Sequence, residues 1–186
     1  MPAPGVRRPT DLNKLVDEAR SLAFHGARAK DMSFQCSCET RFDPNIGIID
    51  VVPEDMTRVI VNLMSNAFYA TEKRRHEGHV GYMPAVEVST RCLDGEVEIR
   101  VDDNGVGIPD AVRQRLFTPF FTTKPSGEGT GLGLALSADI VNDHRGTIRC
   151  DSGEGGHTVF TVTLPVPRRP LFEKRRLGTP EVVRPN

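Results

Sequence analysis

Nowhere among the 186 residues is there an apolar run near the roughly 18 that a membrane-spanning helix needs. The N-terminus also lacks the charged-then-apolar pattern of a signal peptide. A soluble, cytoplasmic chain with no direct membrane insertion is expected. Charge of one sign is missing too: 24 basic and 25 acidic residues leave a formal net charge of −1, which argues against nucleic acid as a partner. Cysteine is sparse. Cys36, Cys38, Cys92 and Cys150 lack the second, correctly spaced pair of a zinc site. Core packing in a reducing compartment is expected of all four, with Cys36 and Cys38 on one face of a strand. The sequence contains no G-x-x-x-x-G-K-[ST] phosphate loop, no G-x-G-x-x-G fingerprint, no H-E-x-x-H and no internal repeat.

What is present divides into three parts. Residues 1–9 are proline-rich and read as a loose extension. Residues 10–165 alternate periodic segments with turns, enough for one globular domain. Residues 166–186 form a Pro/Arg-rich tail: from Arg168 onward six basic residues face Glu173 and Glu181, giving +4 and leaving the preceding part at −5. A solvated tail is the plain reading of that composition.

Within the middle part, Thr10 is a candidate cap for a helix whose apolar positions are Leu12, Leu15, Val16, Ala19, Leu22 and Ala23. Two strand-like runs follow, SFQCSCE and IGIID. Pro53 with Glu54 and Asp55 opens a second helix running to about Arg75. Alternating Val86–Cys92 and Val97–Val101 around Asp94-Gly95 predict a hairpin. A short helix from Pro109 to Leu116, a Gly/Thr/Pro-rich stretch, a helix over GLGLALSADIVNDH and two last strands complete the chain. With no repeated βαβ unit, this order predicts a two-layer α/β (α+β) sandwich, a mixed sheet covered on one face by about three helices.

Four segments carry chemistry. On the second helix Asn62, Asn66, Tyr69 and Lys73 fall at offsets 0, 4, 7 and 11, one polar stripe beside the apolar Val59, Ile60, Leu63, Met64, Ala67 and Ala70. Asparagine offers neutral oxygen to a hard cation such as Mg²⁺ when phosphates supply the other ligands. VDDNGVGIP follows a strand; Asp103 can accept a hydrogen bond from an exocyclic amine, and Gly105 and Gly107 permit a sharp turn or close approach. LFTPFFTTK crowds Leu116, Phe117, Phe120 and Phe121 into a loop, as anchors for a mobile lid ending in Lys124. GEGTGLGLALS runs straight into a helix, so backbone N–H groups there suit a polyphosphate. Each segment alone has an ordinary reading, from exposed helix to flexible linker.

Together and in this order, NLMSNA, DDNGVGIP, LFTPFFTTK and GTGLGLALS resemble the N, G1, F and G2 boxes of the GHKL, or Bergerat-fold, ATPases. The phenylalanine-rich F box and the GTGLGL form resemble the catalytic domain of sensor histidine kinases, over about residues 10–165. The resemblance implies ATP and Mg²⁺ as cofactors, with Asn66 holding the metal and Asn62 lining the same pocket. It assigns Asp103 to the adenine amine, Gly105 and Gly107 to the floor beneath the nucleotide, and Asp110 to Thr130 to the lid. Gly129, Thr130, Gly131, Leu132 and Gly133 would wrap the phosphates, and Thr158 would support adenine through water. The implied partners are a histidine-bearing dimerisation domain of the same kinase and a downstream response regulator.

Two departures from the family pattern matter. Many histidine kinases carry lysine three residues after the magnesium asparagine, where this chain has Tyr69; Lys73 and Lys124 are the alternative phosphate cations. Hydrolytic relatives resemble E-x-x-x-N, and here the glutamate slot is Asn62, an amide that takes no proton at neutral pH. His25, in SLAFHGARA, does not resemble a phosphoacceptor motif, and no acceptor histidine is expected in these residues. Kinase catalysis is the expected function, with a GHKL hydrolase or a nucleotide-binding regulatory module as the alternatives.

Overall fold

The computed structural model describes residues 5–125, 127–153 and 156–166. The tail from 167 onward lies outside the described residues. The first element among the described residues is not a helix. Strand β1 (Arg8–Asp11) pairs antiparallel with β3 (Ile48–Val51), Arg8 opposite Val51, as a separate two-stranded ribbon. Arg8 and Pro9 are thus paired rather than loose. Helix α1 (Leu12–Lys30) is capped not by Thr10 but by Asp11, whose carboxylate accepts from the Lys14 amide at 3.1 Å. Thr10 is held in the ribbon, its hydroxyl donating to the Arg8 carbonyl.

The main sheet has the order β2-β4-β5-β7-β6, with β2 (Ser37–Arg41), β4 (Ala85–Leu93), β5 (Glu96–Asp103), β6 (Thr147–Gly153) and β7 (Gly156–Pro165). Among the described residues only the β2–β4 pairing is parallel, so the sheet is mixed, as the element order predicts. Helix α1, helix α2 (Pro53–His76) and helix α4 (Gly133–Asp143) pack over one face, α2 in the middle against β4 and β5. A short α3 (Asp110–Arg113) replaces the longer helix expected to reach Leu116; turns carry the chain on from there.

Period-two burial explains how the sheet is seated. On β5, Val97, Ile99 and Val101 turn toward the helices while Glu98, Arg100 and Asp102 face the other side. On β7, Phe160, Val162 and Leu164 do the same. Against them α2 sets Met56, Val59, Ile60, Leu63, Met64 and Ala67, all essentially inaccessible. Proline at the first turn and Glu54 and Asp55 suit its positive end, and Lys73, Arg74, Arg75 and His76 suit its negative end. Buried Phe34 and Phe68, with Phe24, form an edge-to-face aromatic group where α1 meets α2.

Two apolar expectations fail. Leu22 is 60% exposed on α1, and Cys92 lies exposed near the end of β4 rather than in the core. Cys36, Cys38 and Cys150 do pack against the core, and burial pushes the Cys36 and Cys150 thiols up to about 12.

Candidate functional site

The same alternation that builds the core carries two polar groups into it at the strand ends. Asp103 is the next inward residue after Val101 on β5, and Thr158 precedes Phe160 on the inward side of β7. The two are direct cross-strand partners, 2% and 1% exposed. A carboxyl group buried this deeply is held partly by the Gly105 N–H, which donates to it at 2.9 Å. Burial nevertheless dominates and raises its pKa to about 7.

Above this pair opens a cleft of about 640 Å³, within the range of small-molecule sites. One wall is the polar stripe of α2, and Asn62, Asn66, Tyr69 and Lys73 all line it. The floor is Asp103, Gly107 and Thr158. The opposite wall is the segment between α3 and α4, with Lys124, Gly129, Thr130, Gly131 and the first residue of α4, Gly133. Gly105 and Leu132 do not line it.

The exceptions have physical reasons. A Cβ on Gly105 would stand 2.6 Å from the Ala70 backbone, so this glycine lets the end of β5 press onto α2. Leu132 is the N-cap of α4. Gly107, at φ +75°, would set a Cβ 2.1 Å from the Gly153 carbonyl, tying the turn after β5 to the end of β6.

Asn62 has a definite task. Its amide nitrogen donates to the Gly133 carbonyl at 3.1 Å and to the Ser137 hydroxyl at 3.3 Å, and Ser137 donates to Gly133 at 2.8 Å. The side chain therefore fastens α2 to the first turn of α4, where Gly133 and Leu134 line the cleft and the first N–H groups lack intrahelical partners. Asn66 does something different. Its Oδ1 accepts from the Lys124 ammonium at 3.0 Å, and that ammonium also lies 4.4 Å from the centre of the Tyr69 ring. An amide oxygen already facing a positive charge fits the role of a cation ligand. Among the described residues no cluster of three His, Cys, Asp or Glu suits a metal by itself, so phosphate oxygens would have to complete any such site.

The lid anchors divide. Leu116 and Phe117 pack against the core, and Phe121 enters the cleft with the Arg115 guanidinium 4.4 Å from its ring. Phe120, expected to be an anchor, is 75% exposed. Its φ of +63° turns the chain where Gly131 passes so close that a Cβ would lie 2.4 Å from the Phe120 carbonyl carbon.

Sequence reasoning missed a second tier of residues. Arg74 donates to the Asn104 and Gly105 carbonyls at 2.8 and 3.1 Å and lies over the Tyr82 ring. Asn104 in turn accepts from Tyr82 and the Ala85 amide and donates to the Met83 carbonyl. Ser152 accepts from the Ile108 amide at 2.8 Å and lies 3.0 Å from the Thr158 hydroxyl. These side chains hold the turn after Asp103 from both sides. No local pattern announces them, because the hydrogen bonds from Arg74 and Asn104, and that from the Ile108 amide to Ser152, span 19 to 44 residues.

The histidines divide as well. His144 is buried, its Nδ1 facing the Ile140 carbonyl at 2.8 Å and its Nε2 accepting from the Val52 amide at 3.0 Å, so it joins the end of α4 to the start of α2. His25 is exposed on α1 and lies outside the cleft. A second cleft of about 670 Å³ lies around Arg7, Asp50, His144 and Arg145, away from all four boxes.

Residues 51–168 match the family described as histidine kinase-, DNA gyrase B-, and HSP90-like ATPase. The sensor histidine kinase ZraS of Escherichia coli (strain K12) is 35% identical over 84% of this chain and 30% of its own length. The sensor protein FixL of Bradyrhizobium diazoefficiens is 33% identical over 86% of this chain and 29% of its own. The chain thus spans about a third of the length of such curated relatives. Among solved structures, a nucleotide-free catalytic domain of histidine kinase ThkA superposes with a TM-score of 0.69 at 27% identity, covering 86% of this chain and 95% of that one.

Proposed function

The chain belongs to the histidine kinase-, DNA gyrase B- and HSP90-like ATPase family, and from that premise we propose that its cleft binds Mg-ATP and donates the γ-phosphoryl group to a histidine on a separate dimerisation domain. It is a catalytic domain of the histidine kinase type, homologous to sensor histidine kinases. Adenine would lie against Asp103 and Thr158, with the carboxylate accepting from the exocyclic amine. The polyphosphate would run toward the N-terminus of α4 and the glycine-rich segment before it. Asn66, with phosphate oxygens, would hold Mg²⁺, which supplies charge neutralisation on the transferred group. Lid residues from Asp110 to Thr130 would close over the nucleotide and keep water out.

Asn62 carries the choice between transfer and hydrolysis. It occupies the place where a water-activating glutamate would stand, has no proton-accepting pKa near neutrality, and spends its amide on Gly133 and Ser137. An imidazole acceptor needs less help, since its neutral ring presents a free lone pair to the phosphorus. The bond formed is N–P, the bond broken is the terminal O–P of ATP, and ADP leaves. A response regulator would then take the phosphoryl group from the phosphohistidine.

The test is incubation with the histidine-bearing helical domain of the parent kinase and γ-labelled ATP. Acid-labile, alkali-stable label on that domain is the expected result. Rapid phosphate release by the chain alone, with no phosphohistidine, would instead favour a hydrolase.

A further inference from the structure

The cleft contains one arrangement that the nucleotide reading leaves unused. Lys124, in the segment leading to α4, reaches across to α2 and sets its ammonium on Asn66 Oδ1 at 3.0 Å and over the Tyr69 ring at 4.4 Å. Both direct partners are neutral. Among the described residues, the half-buried ammonium meets only an amide oxygen and an aromatic face at contact distance, and burial lowers its pKa, so an anion in the cleft would stabilise its charge. Lys30, whose charge also acts on Lys124, adds repulsion, and Glu128 offsets part of it. The placement is held at the backbone, where the Lys124 amide donates to the Thr122 hydroxyl at 3.1 Å. Gly129 packs along the lysine stem, so that an added Cβ would lie 3.1 Å from Cδ.

Tyr69 is the second half of the arrangement. It is one turn beyond Asn66 on the same stripe of α2, where it presents a ring to the cleft and no charge. Lys73, the next residue along the stripe, is exposed at the rim. The helix thus supplies a seat for a cation, and the lid supplies the cation. Two positive charges do not share one amide oxygen, because their repulsion at contact distance exceeds what a single neutral dipole offers each. Magnesium bound at Asn66 would therefore displace the ammonium.

We propose that Lys124 and Tyr69 form a cation latch between lid and helix, in which Lys124 exchanges the Asn66 oxygen for the polyphosphate when magnesium takes that oxygen, with the Tyr69 ring as its seat throughout. The proposal rests on the reading of the cleft as a Mg-ATP site and adds how the lid senses that site. Charge that a helix-borne lysine would hold permanently in the pocket arrives here only when the lid is in place.

Calorimetric titration with adenosine and with Mg-ATP separates the latch from the site. Lys124→Ala lowers Mg-ATP affinity by about 10- to 100-fold, the range for a hydrogen bond to a charged group, and leaves adenosine affinity unchanged. Tyr69→Phe stays close to the unaltered protein, whereas Tyr69→Leu loses about 2- to 5-fold toward Mg-ATP alone. The double variant Tyr69→Lys, Lys124→Ala recovers most of the lost affinity, because the helix now carries the charge. In the protein without nucleotide, Lys124→Ala shifts the NMR signal of the Asn66 side-chain amide. An unchanged Mg-ATP affinity in Lys124→Ala, an equal loss toward adenosine, or an unmoved Asn66 signal would each overturn the latch. If the unaltered chain binds neither adenosine nor Mg-ATP, the nucleotide reading falls and the latch falls with it.

Discussion

The two walls of the cleft are built on opposite principles. The α2 and sheet side is made of residues that the core fixes: Asp103 and Thr158 are continuations of buried rows, and Asn62 is bonded to the start of α4. The lid side is irregular chain whose side chains are mostly exposed or half-exposed, with Leu116 and Phe117 as its hold on the core. On the proposed reading, such a difference would separate recognition from timing. A group that must discriminate adenine needs a fixed position, which burial supplies. A group that must admit and release a nucleotide needs few buried contacts, which the lid has.

The sharpest way to break this contrast is at Asp103. Asp103→Ala should lower ATP affinity roughly 100-fold while circular dichroism shows the fold intact, since a buried hydrogen-bonding carboxyl group would be lost. Retained affinity in calorimetry would mean that the fixed wall does not recognise adenine.

Equal additions to the two walls should then have unequal effects. A methyl group at Gly105 must enter the Ala70 backbone, and Gly105→Ala should cost about 1–3 kcal/mol of stability, seen as a lowered thermal midpoint. Gly131→Ala meets Phe120 at a similar distance and φ +68°, yet the strain falls on the lid. It should weaken ATP binding several-fold with little change in the midpoint. A midpoint lowered as much as in Gly105→Ala would erase the distinction.

Acidity offers a gentler probe of the floor. Because burial raises the Asp103 pKa to about 7, the folded state holds a proton that the unfolded chain releases near the ordinary carboxylate range. The stability this group contributes is complete below that range and is lost as pH rises toward and through about 7. Asp103→Asn should therefore flatten the fall in thermal midpoint between pH 5 and pH 8. If it leaves that slope unaltered, the carboxyl group is not held as the structure indicates.

The smallest expected effect concerns cysteine reactivity. Exposed Cys92 should react readily with a thiol reagent near pH 8, while burial holds the Cys36 and Cys150 thiols unionised and slow. Rapid labelling of all four would point to a looser sheet than the one described.

The alternation of β5 and β7, the amphipathic stripe of α2 and the Asp94-Gly95 turn were all legible, because period and turn chemistry are local properties. Legibility stopped where a residue's role depends on a distant neighbour. Thr10 has a good capping side chain, but pairing with Ile49 draws it into a strand and leaves the cap to Asp11. Phe120 has the composition of an anchor and is turned outward by the approach of Gly131. Arg74, Asn104 and Ser152 support the turn after Asp103 through partners that no spacing rule connects.

The sequence by itself determined the layers of this protein and the order in which its four boxes occur, since hydrophobic period and turn residues act within a few positions. Only the tertiary structure decided which amide of α2 fastens a helix and which meets a cation, and that the lid's Lys124 stands over Tyr69. Helical spacing puts Asn62 and Asn66 on one stripe as equals; what they touch depends on segments some sixty or seventy residues away, brought there by burial of the shared core.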